Sequence, residues 1–435
     1  MEHGKKERFE LFMATLAGVH DAQSTFLSAE ESSGFQQAMT STFVGVGITL
    51  MRDGARLRVE ELEPGGPAAL SAAIAPGDEL LQVSGADDVP VPVLGMSVED
   101  VVKLLRGPVG ATVTLYLRTA TGAVGTVPSQ RALIHPDAGR AQAHRFVSKG
   151  SSFGLITLPR FYTDLSSGDG PRCSVDVPLL LDSLTQAGIG GLVIDLRNNQ
   201  GGSMSETIKL LGLFLDAGPV AQRLARDGSI RVLSTDAPKA RYRGPLVVLV
   251  NERSASASEF FSAALQDHHR AVIMGTPHTY GKGSIQTLVD LPPTVGADGD
   301  TLPAGTAKLT VGLFFRPSGK SVQRVGVTPD IVVADAHSVE PTGERALSFA
   351  LTHPGIAAAA FTPWTTDLPV PSKVMDHAIA RSKAPLPAGQ AQPDLIAAVR
   401  APWSKQEASS KARSNDDGMA HALLLLQELG TATRP

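Results

Sequence analysis

The chain has 435 residues, of which 42% are hydrophobic, and its 39 Lys and Arg against 43 Asp and Glu give a formal net charge of −4. This length suits two or three domains, and this hydrophobic content allows a large buried core, which excludes global disorder. The near balance of charges argues against a nucleic-acid-binding protein, which normally carries a basic excess. The lone cysteine, Cys173, excludes an internal disulfide and a cysteine-based zinc cage, and we expect it to be a small buried side chain.

No apolar stretch approaches the ~20 residues that span a bilayer. The most concentrated one, residues 245–250, is typical of a buried strand. The first residues lack the apolar segment and the cleavage site of a signal peptide. The sequence is therefore compatible with a cytoplasmic protein and with an exported protein whose signal has been removed.

The hydrophobic pattern changes several times along the chain, and each change indicates a domain boundary. Apolar residues at three- and four-residue spacing predict helix near the N-terminus. Short strands and turns follow, with one helix from Ser97, as the N-cap, to Leu105. A stretch rich in Thr, Gly, Ala and Pro then indicates a linker. The predicted segments are an N-terminal helical segment (1–43), a strand-rich domain (44–119), a linker (120–150), an α/β core (151–335) and a C-terminal extension (336–435) with a helix at 419–429.

A segment of small residues follows the apolar strand at 245–250 and begins the next helix. It runs Ser-Ala-Ser-Ala-Ser-Glu from Ser254 to Glu259. A serine at a helix N-terminus lies at the positive end of the helix dipole, which favours a developing alkoxide. The pattern therefore predicts either a serine nucleophile or an ordinary helix cap.

A lysine flanked by glycines, Lys282, follows a second apolar stretch at 271–274. Burial of such a lysine would lower its pKa from about 10.4 and make the neutral amine available as a general base. The alternatives are an exposed turn lysine and a phosphate-binding loop. The second fails because the Gly-x-x-x-x-Gly-Lys-[Ser/Thr] pattern would need glycine where Thr276 stands.

The third segment ends a strand at Asp195 and continues through Leu-Arg-Asn-Asn-Gln-Gly to Gly202. Glycines in such a turn leave backbone N–H groups free to face a ligand, and these donors suit the oxyanion of a tetrahedral intermediate. An ordinary structural turn is the alternative interpretation. No Gly-x-Ser-x-Gly elbow and no His-Glu-x-x-His pattern occurs, so a histidine triad and zinc proteolysis lack support.

Together and in this order, the three segments resemble the C-terminal processing, or tail-specific, protease family. The stretches at 20–28 and 326–330 are similar to that family as well, and the resemblance covers roughly residues 5–335. The resemblance implies neither a cofactor nor a metal.

The same resemblance implies roles for individual residues of the core. Ser256, the middle serine, is the implied nucleophile, Lys282 the base and Gln286 the group that orients the lysine amine. For the oxyanion hole, the resemblance implies the backbone amide of Ala257 together with that of Gly201 or Gly202.

The strand-rich domain, with its Gly-Pro-Ala-Ala turn at 66–69, resembles the PDZ domain of this family, which binds substrate tails. The implied tail-binding residues are Gly45, Val46, Gly47 and Ile48. The fold that the resemblance implies is α/β and multidomain. It combines a β-rich PDZ domain with a crotonase-like α/β (ββα) protease core and helical N- and C-terminal extensions.

The implied function is that of a serine endopeptidase of the periplasm or cell envelope, which binds the C-terminal tail of a protein and cleaves it through an acyl-enzyme. Its partners are protein or peptide substrates with accessible C-termini. An adaptor protein and homo-oligomers stay open, and neither nucleic acid nor an integral membrane segment is expected. Two alternatives remain, a catalytically inactive PDZ scaffold and a Ser–Lys amidase acting on small amides. The joint presence of Ser256, Lys282 and Gln286 argues against the first, and a tail-binding domain argues against the second.

Overall fold

A computed structural model describes residues 5–40, 42–85, 88–134, 136, 139–148, 151–164, 170–295, 301–302, 305–333, 343–364, 422 and 424–426. The chain divides into a small unit, Thr40–Gly139, and a large unit formed by Met1–Met39 and Arg140–Pro435. The predicted fold class, which combines a strand-rich domain with a mixed α/β core, is confirmed. None of the described helices is both long enough and apolar enough to cross a bilayer.

Helices and strands are numbered in chain order over the described residues. The α-helices are α1 (Lys5–Gly18), α2 (Ala29–Thr40), α3 (Pro67–Ser71), α4 (Val98–Leu105), α5 (Cys173–Gln186), α6 (Met204–Leu211) and α7 (Ala257–Asp267). The strands are β1 (Thr25–Ser28), β2 (Phe43–Gly45), β3 (Ile48–Asp53), β4 (Arg56–Leu62), β5 (Glu79–Ser84), β6 (Pro90–Pro92), β7 (Thr112–Arg118), β8 (Val124–Gln130), β9 (Ala132–Ile134), β10 (Gln142–Ser148), β11 (Ser151–Thr157), β12 (Leu192–Asp195), β13 (Gly218–Ala225), β14 (Ile230–Thr235), β15 (Leu246–Val250), β16 (Val272–Gly275), β17 (Ser284–Leu291), β18 (Thr294–Val295), β19 (Thr301–Leu302), β20 (Gly305–Phe315) and β21 (Ile331–Val332).

The small unit is built on a sheet with strand order β3-β4-β5-β7-β8, and β6 pairs with β5. Helix α4 packs on this sheet through its buried residues Val101 and Leu105. The Ser97 hydroxyl caps α4 by accepting a hydrogen bond from the Asp100 N–H at 3.1 Å. Strand β3 lies at one end of the strand order, so one of its edges is unpaired among the described strands.

The segment predicted as a linker, 120–150, consists largely of strands, so that prediction is wrong. Strand β8 pairs with β7 along its whole length, and β9 pairs with β2, which extends the small unit beyond residue 119. Strand β10 instead pairs with β11 in the large unit. Most of β8 is exposed to solvent, and a strand at the edge of a sheet needs few apolar residues to form. Its composition therefore resembles that of a loop.

The large unit is organised around a sheet with strand order β10-β11-β12-β15-β16-β21. Neighbouring strands from β11 to β21 are parallel, whereas β10 is antiparallel to β11. One face packs against α5, α6 and α7 through residues such as Ile194 and Val248. The other face carries Val193 and Val247, which lie in one cluster with Leu425. Because both faces are covered, the central strands are continuous apolar runs, as parallel strands usually are.

A second sheet of the large unit has strand order β1-β20-β13-β14, and β17 also pairs with β20. The prediction that the N-terminal segment is helical throughout is therefore wrong, because residues 25–28 form β1, which pairs with β20. A four-residue strand is too short to give a detectable hydrophobic period. Of the helix predicted at 419–429, residues 422 and 424–426 are helical, and the others lie outside the described residues.

Candidate active site

The three segments singled out in the sequence follow three neighbouring parallel strands. The Asp195–Gly202 segment follows β12, the serine segment follows β15 and the Gly-Lys-Gly segment follows β16. Strand β15 pairs with both of the other two. The carboxyl ends of parallel strands meet at one edge of a sheet, and this edge is where open α/β sheets bind ligands. The topology thus brings together residues that are far apart in the sequence.

The loops after β12 and β15 are joined by hydrogen bonds. The Asn199 carbonyl accepts from the Ala255 N–H at 3.0 Å and from the Ser258 hydroxyl at 2.8 Å. The Asn251 side chain accepts from the Asn198 N–H at 2.9 Å and donates to the Asn198 side-chain oxygen at 3.0 Å. These bonds fix the glycine turn against the serine segment.

The structure distinguishes the three serines of the serine segment. The buried Ser254 and Ser258 hydroxyls donate to the carbonyls of Leu196 and Asn199, both at 2.8 Å. The half-buried Ser256 hydroxyl donates to no group among the described residues. Ser256 has a φ of 56° and immediately precedes α7. A positive φ is uncommon outside glycine, and the surrounding hydrogen bonds hold Ser256 in this strained conformation.

The Lys282 amine lies beside the Gln286 side chain. Its Nζ donates to Gln286 Oε1 at 2.5 Å and to the Ser284 carbonyl at 3.4 Å. Burial, together with the smaller effect of the charge of Lys308, lowers the pKa of Lys282 to about 8. Lys282 Nζ and Ser256 Oγ are not hydrogen-bonded to each other in this structure.

A fully buried carboxylate, Glu259, joins the serine and lysine segments. Its Oε2 accepts from the backbone N–H groups of Ser256 and Lys282, both at 2.8 Å. Its Oε1 accepts from the Gly281 N–H and the Thr279 hydroxyl, both at 2.6 Å. Burial raises the pKa of Glu259 to about 7, and the four hydrogen bonds act in the opposite direction. One side chain thereby sets the separation between the backbones of Ser256 and Lys282.

Glu259 is not among the functional residues predicted from the sequence. A signal for it was present, because Glu259 stands three residues after Ser256 in the Ser-x-x-Glu pattern of a capping box. One hydrogen bond of that capping box is present, in which the Glu259 side chain accepts from the backbone N–H of Ser256. The contacts to the lysine segment could not be predicted, because they depend on how β15 and β16 are placed.

The structure separates the two glycines of the turn. The Gly201 N–H donates to Asn199 Oδ1 at 2.8 Å, so it is already occupied. The N–H groups of Gly202 and Ala257 have no partner among the described residues. Gly201 packs directly on the serine segment, since a Cβ atom at this position would lie 2.8 Å from Ser256 Cβ. Of the predicted oxyanion donors, Gly202 and Ala257 are therefore the available pair.

The predicted tail-binding residues run from the last residue of β2 to the first residue of β3: Gly45, Val46, Gly47 and Ile48. The Glu63 N–H donates to the Gly47 carbonyl at 2.9 Å. Ile48 stands opposite Leu62 where β3 pairs with β4. Because the Glu63 N–H bonds to Gly47, Ile48 and Leu62 form a non-hydrogen-bonded pair, and the Ile48 N–H points away from β4. The φ of Gly47 is 77°, and a Cβ atom there would lie 3.1 Å from Ile134 Cδ1. This turn can present backbone N–H groups at the edge where an added strand would pair.

Comparison with known proteins gives two family matches. Residues 152–333 match the model of peptidase family S41, and residues 35–118 match that of the PDZ domain. A tail-specific protease of Haemophilus influenzae is 31% identical over 355 residues, which are 81% of this chain and 49% of that protein. The chain belongs to peptidase family S41. Ser256 and Lys282 both lie within the S41 match, and Gly47 lies within the PDZ match.

Two further relatives of this S41 chain carry related names. A carboxy-terminal-processing protease of Bartonella bacilliformis is 30% identical over 315 residues, which are 72% of this chain and 66% of that protein. The solved photosystem II D1 C-terminal processing protease is 28% identical, with a TM-score of 0.43, and the match covers 76% of this chain and 82% of that one. The chain thus spans about half to two thirds of the length of the curated relatives it matches.

Replacing Glu259 by Gln tests its role as the link between the two segments. A Gln side chain offers one acceptor oxygen and places an NH2 donor where two of the four donors now point. We expect the free energy of unfolding to fall by about 2–4 kcal/mol and kcat/KM on an unfolded protein to fall about a hundredfold. The measurements are chemical denaturation and initial rates of cleavage.

Glu206→Gln is the matched control for this substitution. Glu206 is also buried at the third position of its helix, but it contacts Ser174 and Lys209, which lie outside the site. We expect Glu206→Gln to lower stability while leaving kcat/KM of the folded protein unchanged. Equal loss of activity in both variants, or none in Glu259→Gln, would contradict the assigned role.

Proposed function

We propose that this chain is a serine endopeptidase that cleaves peptide bonds through an acyl-enzyme. Ser256 is the nucleophile, Lys282 is the general base and Gln286 orients the lysine amine. The backbone N–H groups of Gly202 and Ala257 form the oxyanion hole. These assignments use the residues that the three segments bring to one edge of the central sheet.

The reaction follows from the chemistry of these groups. The neutral Lys282 amine takes the hydroxyl proton of Ser256 as the Ser256 oxygen attacks the carbonyl carbon of the substrate. The resulting oxyanion accepts hydrogen bonds from Gly202 and Ala257. The Lys282 ammonium then gives its proton to the leaving amine. In the second half, the Lys282 amine takes a proton from the water that attacks the ester and returns it to the Ser256 oxygen as that oxygen leaves. Since the Lys282 amine now faces Gln286, it must approach the Ser256 hydroxyl when substrate binds.

One observation carries this proposal. Glu259 Oε2 holds the backbone N–H groups of Ser256 and Lys282 together, at 2.8 Å each. Ser256 is in a strained conformation beside two unoccupied N–H groups, and burial keeps the pKa of Lys282 near 8. A strained serine, available oxyanion donors and a lysine of lowered pKa together favour acyl transfer over an ordinary helix cap.

We further propose that the PDZ domain captures the substrate by its C-terminal tail. The unpaired edge of β3 would accept an extended peptide, and the turn at 45–48 would bind the terminal carboxylate. Half-buried Ile48 and Val98 would contact the last side chain. Protein and peptide substrates with accessible C-termini are the proposed partners, in the periplasm or cell envelope. An inactive scaffold would bind such tails without cleaving them, and a small-amide hydrolase would ignore them.

The pH dependence of cleavage tests the lysine base. Because burial lowers the pKa of Lys282 to about 8, kcat/KM should rise about tenfold per pH unit below that value and level off above it. Lys282→Ala and Lys282→Arg should both be inactive, the second because a guanidinium stays charged. Lys308→Gln should remain active with its acid limb moved to higher pH, because the charge of Lys308 lowers the pKa of Lys282. The measurement is kcat/KM against pH for each variant.

A pH-independent kcat/KM below pH 8, or near-normal turnover by Lys282→Ala, would contradict the lysine base. Loss of activity on chelation, restored by zinc, would indicate a different mechanism. Binding of tails with no cleavage at any pH would support the inactive scaffold instead.

Amidating the C-terminus of a substrate tests tail recognition. Amidation removes a negative charge and an acceptor oxygen, and charge-assisted hydrogen bonds to such a group are strong. We expect kcat/KM to fall roughly ten- to a hundredfold relative to the same chain with a free carboxylate. The measurement compares initial cleavage rates of the two substrates.

Two glycine variants provide the matched comparison for this test. Gly47→Ala puts a Cβ atom into the proposed carboxylate-binding turn, whereas Gly54→Ala places one at a positive-φ turn with open space around it. We expect the first to lose the preference for a free carboxylate and the second to keep it. Equal rates on free and amidated tails in the unsubstituted protein would rule out tail capture.

A further inference from the structure

The N-terminal segment places a buried carboxylate behind the Lys282–Gln286 pair. Asp21 is 5% exposed and belongs to the polar loop that precedes β1, which pairs with β20. Its carboxylate accepts from the Gln23 N–H at 2.8 Å and from the Ser24 hydroxyl at 2.6 Å. These bonds hold the loop in one conformation beside β20.

A chain of hydrogen bonds leads from Asp21 to the lysine amine. The Thr310 hydroxyl donates to Asp21 Oδ1 at 2.9 Å, and Gln286 Nε2 donates to Thr310 Oγ1 at 3.2 Å. Gln286 Oε1 then accepts from Lys282 Nζ at 2.5 Å. The Thr310 N–H also donates to the Ser24 hydroxyl at 3.0 Å, which fixes the loop on β20.

The direction of these bonds is set by Asp21. A carboxylate only accepts hydrogen bonds, and a threonine hydroxyl has a single proton to donate. With that proton directed to Asp21, Thr310 can only accept from Gln286. The Gln286 NH2 group therefore faces Thr310, and the Gln286 carbonyl oxygen is left to face the Lys282 amine. Without Asp21, only the hydrogen bond from Gln286 Nε2 to Ser284 Oγ, at 2.9 Å, would favour this orientation of the amide.

A second set of contacts connects the same loop to the lysine segment. Gln23 Nε2 donates to Glu344 Oε2 at 2.6 Å. Glu344 is buried, and its Oε1 accepts from Gln323 Nε2 at 3.0 Å. Gln323 Oε1 accepts from the N–H of Gly283, the residue after Lys282, at 2.7 Å. The N-terminal loop thus contacts the surroundings of Lys282 on two sides.

We propose that Asp21 is a positioning residue, which acts through Thr310 and Gln286 to direct the Lys282 amine. This inference rests on the proposed Ser–Lys mechanism and adds the N-terminal segment to the active site. Asp21 does not touch substrate. It acts on Lys282 through the hydrogen-bond chain and through its charge.

Substitutions on β20 test this chain in the full-length protein. Thr310→Val removes the hydroxyl that joins Asp21 to Gln286, whereas Thr310→Ser keeps it. Thr306→Val is the matched control. The Thr306 hydroxyl likewise donates to a carboxylate, that of Asp290, and contacts Ser32, and neither residue belongs to the hydrogen-bond chain that leads to Lys282. We expect Thr310→Val to lower kcat about tenfold with KM changed less than about twofold. Thr310→Ser and Thr306→Val should keep kcat near that of the unsubstituted protein.

Asp21→Asn tests the positioning role through the pH dependence of kcat/KM, which would stay unchanged if the role of Asp21 were purely structural. Charged groups acting on Lys282 are Lys308, Glu344, Glu259 and Asp21, and the carboxylate of Asp21 raises the pKa of Lys282. Removing that charge should move the acid limb of kcat/KM to lower pH while kcat falls. Reduced thermal stability with an unmoved acid limb and normal kcat would overturn the proposal.

The outcomes separate this inference from the mechanism on which it rests. If Thr310→Val cleaves as fast as Thr306→Val while Lys282→Ala is inactive, the positioning role is wrong and the lysine base stands. If Lys282→Ala retains activity, the Ser–Lys mechanism is wrong, and the role of Asp21 is wrong with it. If Asp21→Asn does not fold, the comparison of Thr310→Val with Thr310→Ser still decides the question.

Discussion

The buried carboxylate of Glu259 is the interaction on which the candidate site depends. One of its oxygens accepts from the N–H groups of both Ser256 and Lys282, and the other holds the lysine segment through Gly281 and Thr279. A buried carboxylate is stable only when its oxygens are hydrogen-bonded. Its four donors come from the segments after β15 and β16. The requirement to satisfy Glu259 therefore also fixes the relative position of Ser256 and Lys282, the proposed nucleophile and the proposed base.

The sheet makes this arrangement accessible to residues that are distant in the sequence. Parallel pairing of β12, β15 and β16 places the ends of three strands side by side. Burial on both faces keeps these strands rigid, since one face packs on helices and the other on apolar residues including Leu425. A chain of hydrogen bonds from Asp21 through Thr310 to Gln286 then reaches the side chain of Lys282. The site is thus held at its backbone by Glu259 and at its lysine amine by Gln286.

Local chemistry was predictable from the sequence, and contacts between distant segments were not. The N-cap at Ser97 and the helix it begins were predicted correctly, because a cap depends only on its neighbouring residues. The spatial proximity of the three segments followed from the resemblance to a known family. The linker prediction was wrong, because β8 forms by pairing with β7 and its sequence has little apolar periodicity. Glu259 and Asp21 were not selected, because their partners come from other strands.

The proposed function requires that Ser256 be the nucleophile of a covalent reaction in which Lys282 acts as the base. The most direct measurement is mass spectrometry of the protein after acid quenching during turnover of an activated peptide ester, with peptide mapping of any adduct. We expect an acyl group on Ser256 that accumulates in the unsubstituted protein and is absent from Lys282→Ala. Turnover without an adduct on Ser256, or an adduct on another residue, would contradict it.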